Sequence, residues 1–186
     1  MTPKVAKCLI RYVEETDFPR LEAIYAEHEG ESVPFGYFED FREVIRSEEV
    51  IYFVAEVDGV VVGGGGISDY LPGSNAFFVF GVVERSECRK GYGTAILLAR
   101  LMFIDPGPGG CQVGLEATEW SAEFFSRLGF KWHHLEEDDL GNQFLHGTHL
   151  VLPNDRRLFR HILNAGEVLL AQEIEEEIKA VSDRPE

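Results

Sequence analysis

No apolar run in these 186 residues approaches the ~18–20 needed to cross a bilayer, and mean hydropathy is slightly negative, at −0.10. Membrane association is therefore not expected. Cysteine is scarce: Cys8, Cys88 and Cys111 are too few and too scattered for a disulfide framework or a CxxC metal motif. Met1–Lys7 lacks the apolar stretch of a signal peptide, and with unpaired thiols this makes a reducing cytoplasm the expected compartment. Basic residues are also few. Seventeen Lys and Arg face 33 Asp and Glu, a formal net charge of −16. Nucleic-acid binding is driven by Lys and Arg neutralising phosphates, so that class of partner is excluded.

The acidity is not a tail effect. Residues 154–186 hold eight acidic and five basic side chains, leaving most of the excess on residues 1–153. Such a body steers cations toward itself, although the charge also serves plain solubility. What the chain has in plenty is apolar residues, 45% of the total, enough for one domain with a true core.

The pattern predicts β-α-α-β-β-β-α-β-α-β-β followed by helices, an α/β arrangement with helices on both faces of a mixed sheet. Lys7–Glu14 reads as a strand, with Thr16-Asp17 and Pro19 opening a helix that runs to about His28. Tyr37–Arg46 is a second short helix. Val50–Val57 and Val60–Ser68 flank Asp58-Gly59, a hairpin signal. Gly63–Gly66 inside the second arm implies a bulge or a close approach to its backbone. Phe77–Val83 and Cys111–Ala117 are buried strands, separated by a helix ending near Phe103. Thr118 caps the next helix, which Gly129 ends. Phe130–Leu135 and Phe144–Leu152 close the body. After Pro153, Leu158, Phe159, Ile162 and Leu163 form one helical stripe; Val168, Leu169, Ile174, Ile178 and Val181 form another. The expected division is residues 1–153 plus a helical extension, 154–186, that either packs on the body or forms a homodimer.

The most informative segment is Phe77–Val83, then Glu84–Lys90, then Gly91-Tyr92-Gly93-Thr94 opening an apolar helix. A glycine turn at a helix N-terminus presents unpaired N–H groups and about half a positive charge, which suits phosphate or pyrophosphate. It is neither a Walker A loop nor a Rossmann fingerprint.

In its context this stretch resembles the acyl-CoA-binding motif of the GNAT superfamily of N-acetyltransferases. Val83 takes the motif's valine position and Arg89-Lys90-Gly91-Tyr92-Gly93-Thr94 the turn, while Cys88 stands where Gln or Arg is usual. Ser121–Phe130, ending Leu128-Gly129-Phe130, resembles the family's following helix. The resemblance covers about Lys7 to Leu152. It implies a mostly antiparallel sheet with two splayed central strands, Phe77–Val83 and Cys111–Ala117, between which the pantetheine of acetyl-CoA inserts. It also implies donor-binding roles for Val82, Val83, Arg89, Lys90, Gly91, Tyr92, Gly93 and Thr94, and acetyl transfer to a primary amine, small or protein-borne.

That reaction needs a deprotonated amine, a stabilised oxyanion and a neutralised thiolate. The position where many relatives carry a proton-donating Tyr is Phe125 here. Tyr92, Cys88, a later His or water are the substitutes; a non-catalytic acyl-CoA-binding module is the alternative. Glu116, a lone acid in an apolar strand, is the candidate base, with a structural ion pair as the competing role. Cys88, beside Arg89, Lys90 and the helix end, could have a lowered pKa. His133 and His134 should face opposite ways in a strand, as should His146 and His149, which argues against a metal site. The resemblance also implies that His28-Glu29-Gly30-Glu31 walls the acceptor side, where its carboxylates suit a cationic amine; a plain solvated loop is the competing reading.

Overall fold

The computed structural model describes residues 3–182. Eight strands form one sheet in the order β6-β7-β5-β4-β3-β2-β1-β8. They are β1 (Leu9–Tyr12), β2 (Ile51–Val57), β3 (Val60–Leu71), β4 (Asn75–Val83), β5 (Cys111–Ala117), β6 (Lys131–Glu137), β7 (Gln143–Val151) and β8 (Leu169–Leu170). Only β4–β5 and β1–β8 are parallel; the other five pairs are antiparallel. The helices are α1 (Phe18–Ala26), α2 (Phe38–Arg46), α3 (Tyr92–Phe103), α4 (Glu119–Arg127), α5 (Asp155–Ala165) and α6 (Gln172–Ser182).

Both sheet faces are covered, which is why the central strands read as almost unbroken apolar runs. On one face Leu21, Ile24, Tyr25, Phe41 and Ile45 of α1 and α2 pack with Tyr52, Val54, Val61 and Val82. On the other, α3 is buried along nearly its whole length with Phe53, Phe78, Val113, Leu115 and Phe130. The Asp58-Gly59 hairpin forms as its composition requires, with φ of 50° and 79° at the two residues.

The glycine run in β3 answers both expectations placed on it. Gly64 pairs with Val82 and Gly66 with Val79, so Phe80 and Gly81 bulge opposite Gly65. A methyl on Gly64 would lie 2.6 Å from the Tyr52 ring, so the close approach is real as well. Phe80 takes a φ of 42°, strained for a bulky residue, and the buried Tyr52 hydroxyl donates to its carbonyl at 2.8 Å.

Two capping expectations are corrected. The Asp17 carboxylate does not cap α1; it accepts from Arg11 and from the Glu14 N–H. The Thr118 hydroxyl donates to the Ser32 carbonyl at 3.1 Å, tying α4 to the α1–α2 connection instead of closing its own helix.

The segment after Pro153 contains a strand as well as helices. β8 extends the sheet beside β1, with Leu169 N–H donating to Cys8 and Ala171 N–H to Ile10. Phe159, Ile162, Leu163, Val168, Ile174 and Ile178 are buried in the same core as α3. Leu158 and Leu169, assigned to the stripes, face solvent instead. The stripes are covered within the chain, so self-association is not what buries them. Among the described residues no helix is long and apolar enough to cross a membrane.

Candidate functional site

Strands β4 and β5 pair only from Asn75–Gln112 to Phe78–Leu115. Beyond that point Val79–Val83 has no partner on the β5 side, while Glu116 and Ala117 stay bonded to β7. The central sheet opens there into a cleft whose walls carry free backbone groups. The bulge at Phe80-Gly81 lies on its rim and turns β4 away from β5.

At the end of β4 the chain passes through a short 3-10 turn, Arg85–Glu87, to the glycine turn. The first turn of α3 leaves the N–H groups of Tyr92, Gly93 and Thr94 without acceptors among the described residues; the first bonded amide is Ala95, to Gly91. Gly91 has a φ of 118°, and a methyl there would lie 2.8 Å from Ala6 N. Its requirement for glycine is thus set by the segment 4–6 running across it. Gly93 is different: a methyl there would meet only Val83, at the end of β4, and the Phe124 ring, each at 3.7 Å. Arg89, at φ 62°, has no acidic partner among the described residues, whereas Lys90 pairs with Glu87 at 2.9 Å. Val82 faces the α1–α2 layer and Val83 the α3 layer.

Val83 is also where sequence reasoning missed a residue. The His28 Nε2–H donates to the Val83 carbonyl at 2.7 Å, and its Nδ1 accepts from the Ser32 hydroxyl at 2.8 Å. The carbonyl can only accept, which sets the tautomer. His28 therefore fastens the α1–α2 connection to the end of β4. Only burial could have flagged it, and burial is not visible in a polar loop.

Glu116 stands on the first β5 residue past the opening. Its neighbours Leu115 and Ala117 are in the α3 core, so its own side chain faces the α1–α2 side and is about half exposed. His146 pairs with it across β5–β7, its Nδ1 lying 3.6 Å from Glu116 Oε1 and its Nε2 3.0 Å from Glu136 Oε2. The His134 ring stacks on His146 with centroids 4.3 Å apart. One expectation fails here. A bulge between Trp132 and His134 breaks the alternation of β6, so His133 reaches Thr148 Oγ1 at 2.6 Å while His134 meets His146. Thr148 and His146 lie on one face of β7, so His133 and His134 do not oppose each other. His134, Glu136 and His146 offer three ligand atoms within 4.8 Å of one another, a cross-strand grouping that spacing within single strands cannot reveal. His149 does diverge from His146, its Nδ1 3.2 Å from the Gly129 carbonyl.

A strap joins the segment before α2 to the β6–β7 loop. Tyr37 donates to Asp138 Oδ2 at 2.6 Å, and Asn142 Nδ2 reaches the Phe35 carbonyl at 3.3 Å. Desolvation pushes the Asp138 carboxyl up, but Tyr37, Asn142 and the Leu140 N–H outweigh it and hold it at about 2. The same bond, more than burial, raises Tyr37 to about 12. Of the loop carboxylates, Glu31 is neutralised by Arg85 at 2.6 Å, whereas Glu29 has no cationic partner among the described residues.

Two further expectations change. Local desolvation raises the Cys88 thiol despite Arg85 and Arg89, the opposite of the lowering expected beside them, and the thiol donates to Val83 O at 3.6 Å. Tyr92 has Glu87, Cys8, Lys90 and Asp58 as its charge neighbours. Cys8 precedes β1 and Asp58 turns β2 into β3, so two of these neighbours come from the β1–β3 side of the sheet. Phe125 packs edge-on against Phe124 and Phe130 and supplies no proton.

The family model for the acetyltransferase (GNAT) family matches residues 12–130. No curated protein matches by sequence. Among solved structures, the ribosomal-protein-S18-alanine N-acetyltransferase of Escherichia coli superposes with TM-score 0.60 at 17% identity, covering 77% of this chain and 93% of its own. An aminoglycoside 6'-N-acetyltransferase complexed with coenzyme A gives 0.59 at 14%, covering 77% and 97%. A spermidine N-acetyltransferase from Vibrio cholerae gives 0.57 at 13%, covering 77% and 94%. At these identities the likeness is one of fold.

Proposed function

The chain belongs to the acetyltransferase (GNAT) family, an acyltransferase that uses acetyl-CoA, and from that premise we propose that its acceptor is a cationic primary amine. The reading rests on one observation above the others: β4 and β5 part after Phe78–Leu115, and Glu116 stands at the mouth of the gap on its acidic side. In this reading the Tyr92, Gly93 and Thr94 amides hold the pyrophosphate, with Arg89 adding charge. The pantetheine lies between the parted strands, and the thioester reaches the bulge at Phe80-Gly81, where free N–H groups can polarise its carbonyl.

Glu116 takes the proton of the incoming ammonium, directly or through one water, and His146 and Glu136 carry it outward. The amine nitrogen attacks the acetyl carbon, the C–S bond breaks, and CoA leaves as thiolate. Glu29, Glu116 and Glu136 favour an acceptor with more than one positive charge, in keeping with the −16 of the whole chain. Solved relatives named for spermidine and aminoglycosides have amines of that kind. The three cysteines carry no disulfide, which supports a cytoplasmic setting. Any homodimer would have to use a surface other than the buried stripes of α5 and α6.

The test is product mass after incubation with acetyl-CoA and matched amines of zero, one and several charges. Acetylation rising with acceptor charge and weakening with salt supports the reading. Equal use of neutral and polycationic amines overturns it, and no product with any amine favours the non-catalytic module suggested by Phe125.

A further inference from the structure

A guanidinium lies in the core without a counter-ion. Arg100, in the third turn of α3, is 3% exposed and makes no ion pair among the described residues. Its Nη1 donates to the Gly66 carbonyl at 3.2 Å and its Cζ sits 4.4 Å from the Phe78 ring centroid. The Nε is buried with no hydrogen-bond partner, and Nη2 makes no bond within the described residues. Burying a charge this way is costly, and a Leu or Met would fill the position without that cost.

The surroundings are shaped to accept it. A methyl on Gly65 would lie 2.9 Å from Arg100 Cζ, and one on Gly81 would lie 3.4 Å from Nη2. Gly65 and Gly81 are the residues facing each other across the β4 bulge. Gly81 is solvent-exposed and lies beyond the last β4–β5 pair, so Arg100 Nη2 lies directly behind the strand segment that borders the cleft. Burial lowers Arg100 only to about 10, which leaves it cationic at neutral pH.

We propose that Arg100 holds the negative charge expelled onto the CoA sulfur, a catalytic residue taking over the task left vacant by Phe125. This rests on the acetyl-transfer reading above. When the amine attacks and the C–S bond breaks, the bonding pair leaves on sulfur as thiolate. The guanidinium stabilises that thiolate by charge and by its free N–H donors, without giving up a proton. The proton lost by the amine goes to Glu116, and the thiolate takes one from water after CoA is released.

The experiment titrates the thiol of CoA bound to the protein, followed by thiolate ultraviolet absorbance, in wild type, Arg100→Met and Arg100→Lys. The wild-type complex should ionise at least about one pH unit below free CoA. Arg100→Met should lose that shift while still binding CoA, and should melt higher because an unpaired buried charge is gone. Arg100→Lys should retain part of the shift. With an active amine, kcat of Arg100→Met should fall about 100-fold, with KM for acetyl-CoA little changed. Adding Phe125→Tyr should recover part of this loss while changing wild type little. An unshifted thiol in wild type, or an equal shift in Arg100→Met, overturns the role of Arg100 and leaves acetyl transfer standing. A lower melting temperature in Arg100→Met with thiol ionisation intact shows Arg100 to be structural. No CoA binding by wild type overturns both readings.

Discussion

The imidazole of His28 donates to the carbonyl of Val83 at 2.7 Å, joining the α1–α2 connection to the strand end that leads into the glycine turn. Removing the ring leaves the Val83 carbonyl without its strong donor, with the Cys88 thiol at 3.6 Å as a weak one. His28→Ala should therefore destabilise the protein by about 1–3 kcal/mol and raise KM for acetyl-CoA. Denaturant midpoints and steady-state kinetics measure both, and unchanged values would show the bond to be incidental.

Glu116 and His146 face each other across β5–β7. If Glu116 is the base, Glu116→Gln should lower kcat by about 100-fold or more and remove the ascending limb of kcat/KM against pH. Acetyl-CoA binding should persist, because the donor is held elsewhere. A small loss with the pH profile intact would place the base on another residue.

The two glycines of the turn should respond oppositely. Gly91→Ala places a side chain at φ 118° and against the backbone of residues 5 and 6, so it should cost about 1–3 kcal/mol of stability. Gly93→Ala should fold normally, since its added methyl meets only ordinary contacts with Val83 and Phe124. Thermal melting of the two variants separates the structural glycine from the one proposed to border the ligand.

The Tyr37–Asp138 strap gives a pH window. Asp138 is held at about 2 against an ordinary 3.8, so its contribution is complete above 3.8 and disappears as pH falls toward 2. Tyr37 is raised from 10.0 to about 12, so its contribution is complete below 10 and disappears as pH rises toward 12. The melting-temperature difference between wild type and Tyr37→Phe should be constant between these limits and shrink beyond both. A difference independent of pH would mean the hydrogen bond does not fasten the loop.

Ending the chain after Pro153 should strip the α3 face of Phe159, Ile162, Leu163, Ile174 and Ile178 and leave the β1 edge without β8. The shortened protein should aggregate, because an apolar face and an open strand edge are exposed together. A soluble form with unchanged melting would show the segment to be dispensable.

What could be read from the residues, and what could not, divides along local against long-range determination. Asp58-Gly59 sets its own turn, and the order Val83, Gly91, Gly93 places the glycine turn, with its unpaired amides, next to a strand end without any tertiary information. Leu128-Gly129-Phe130 likewise marks a helix stop locally. The His134–His146 pairing depends on a one-residue bulge in β6, which inverts the facing that a period of two assigns along that strand. Arg100 lies in a stretch that reads as a uniform apolar helix, and only the glycines opposite it make room for a cation. β8 is two residues long, below the length at which alternation carries a signal. His28 takes its role from a partner 55 residues away.

The central claim is that the gap between β4 and β5 is a working acetyl-CoA site. Thiol release from acetyl-CoA, measured at steady state with a polycationic amine for wild type and Gly93→Trp, tests it most directly. Saturable, amine-dependent release by wild type, lost in the folded Gly93→Trp protein, is the predicted result. Tight CoA binding with release no faster than the uncatalysed background, or equal release by both proteins, would contradict it.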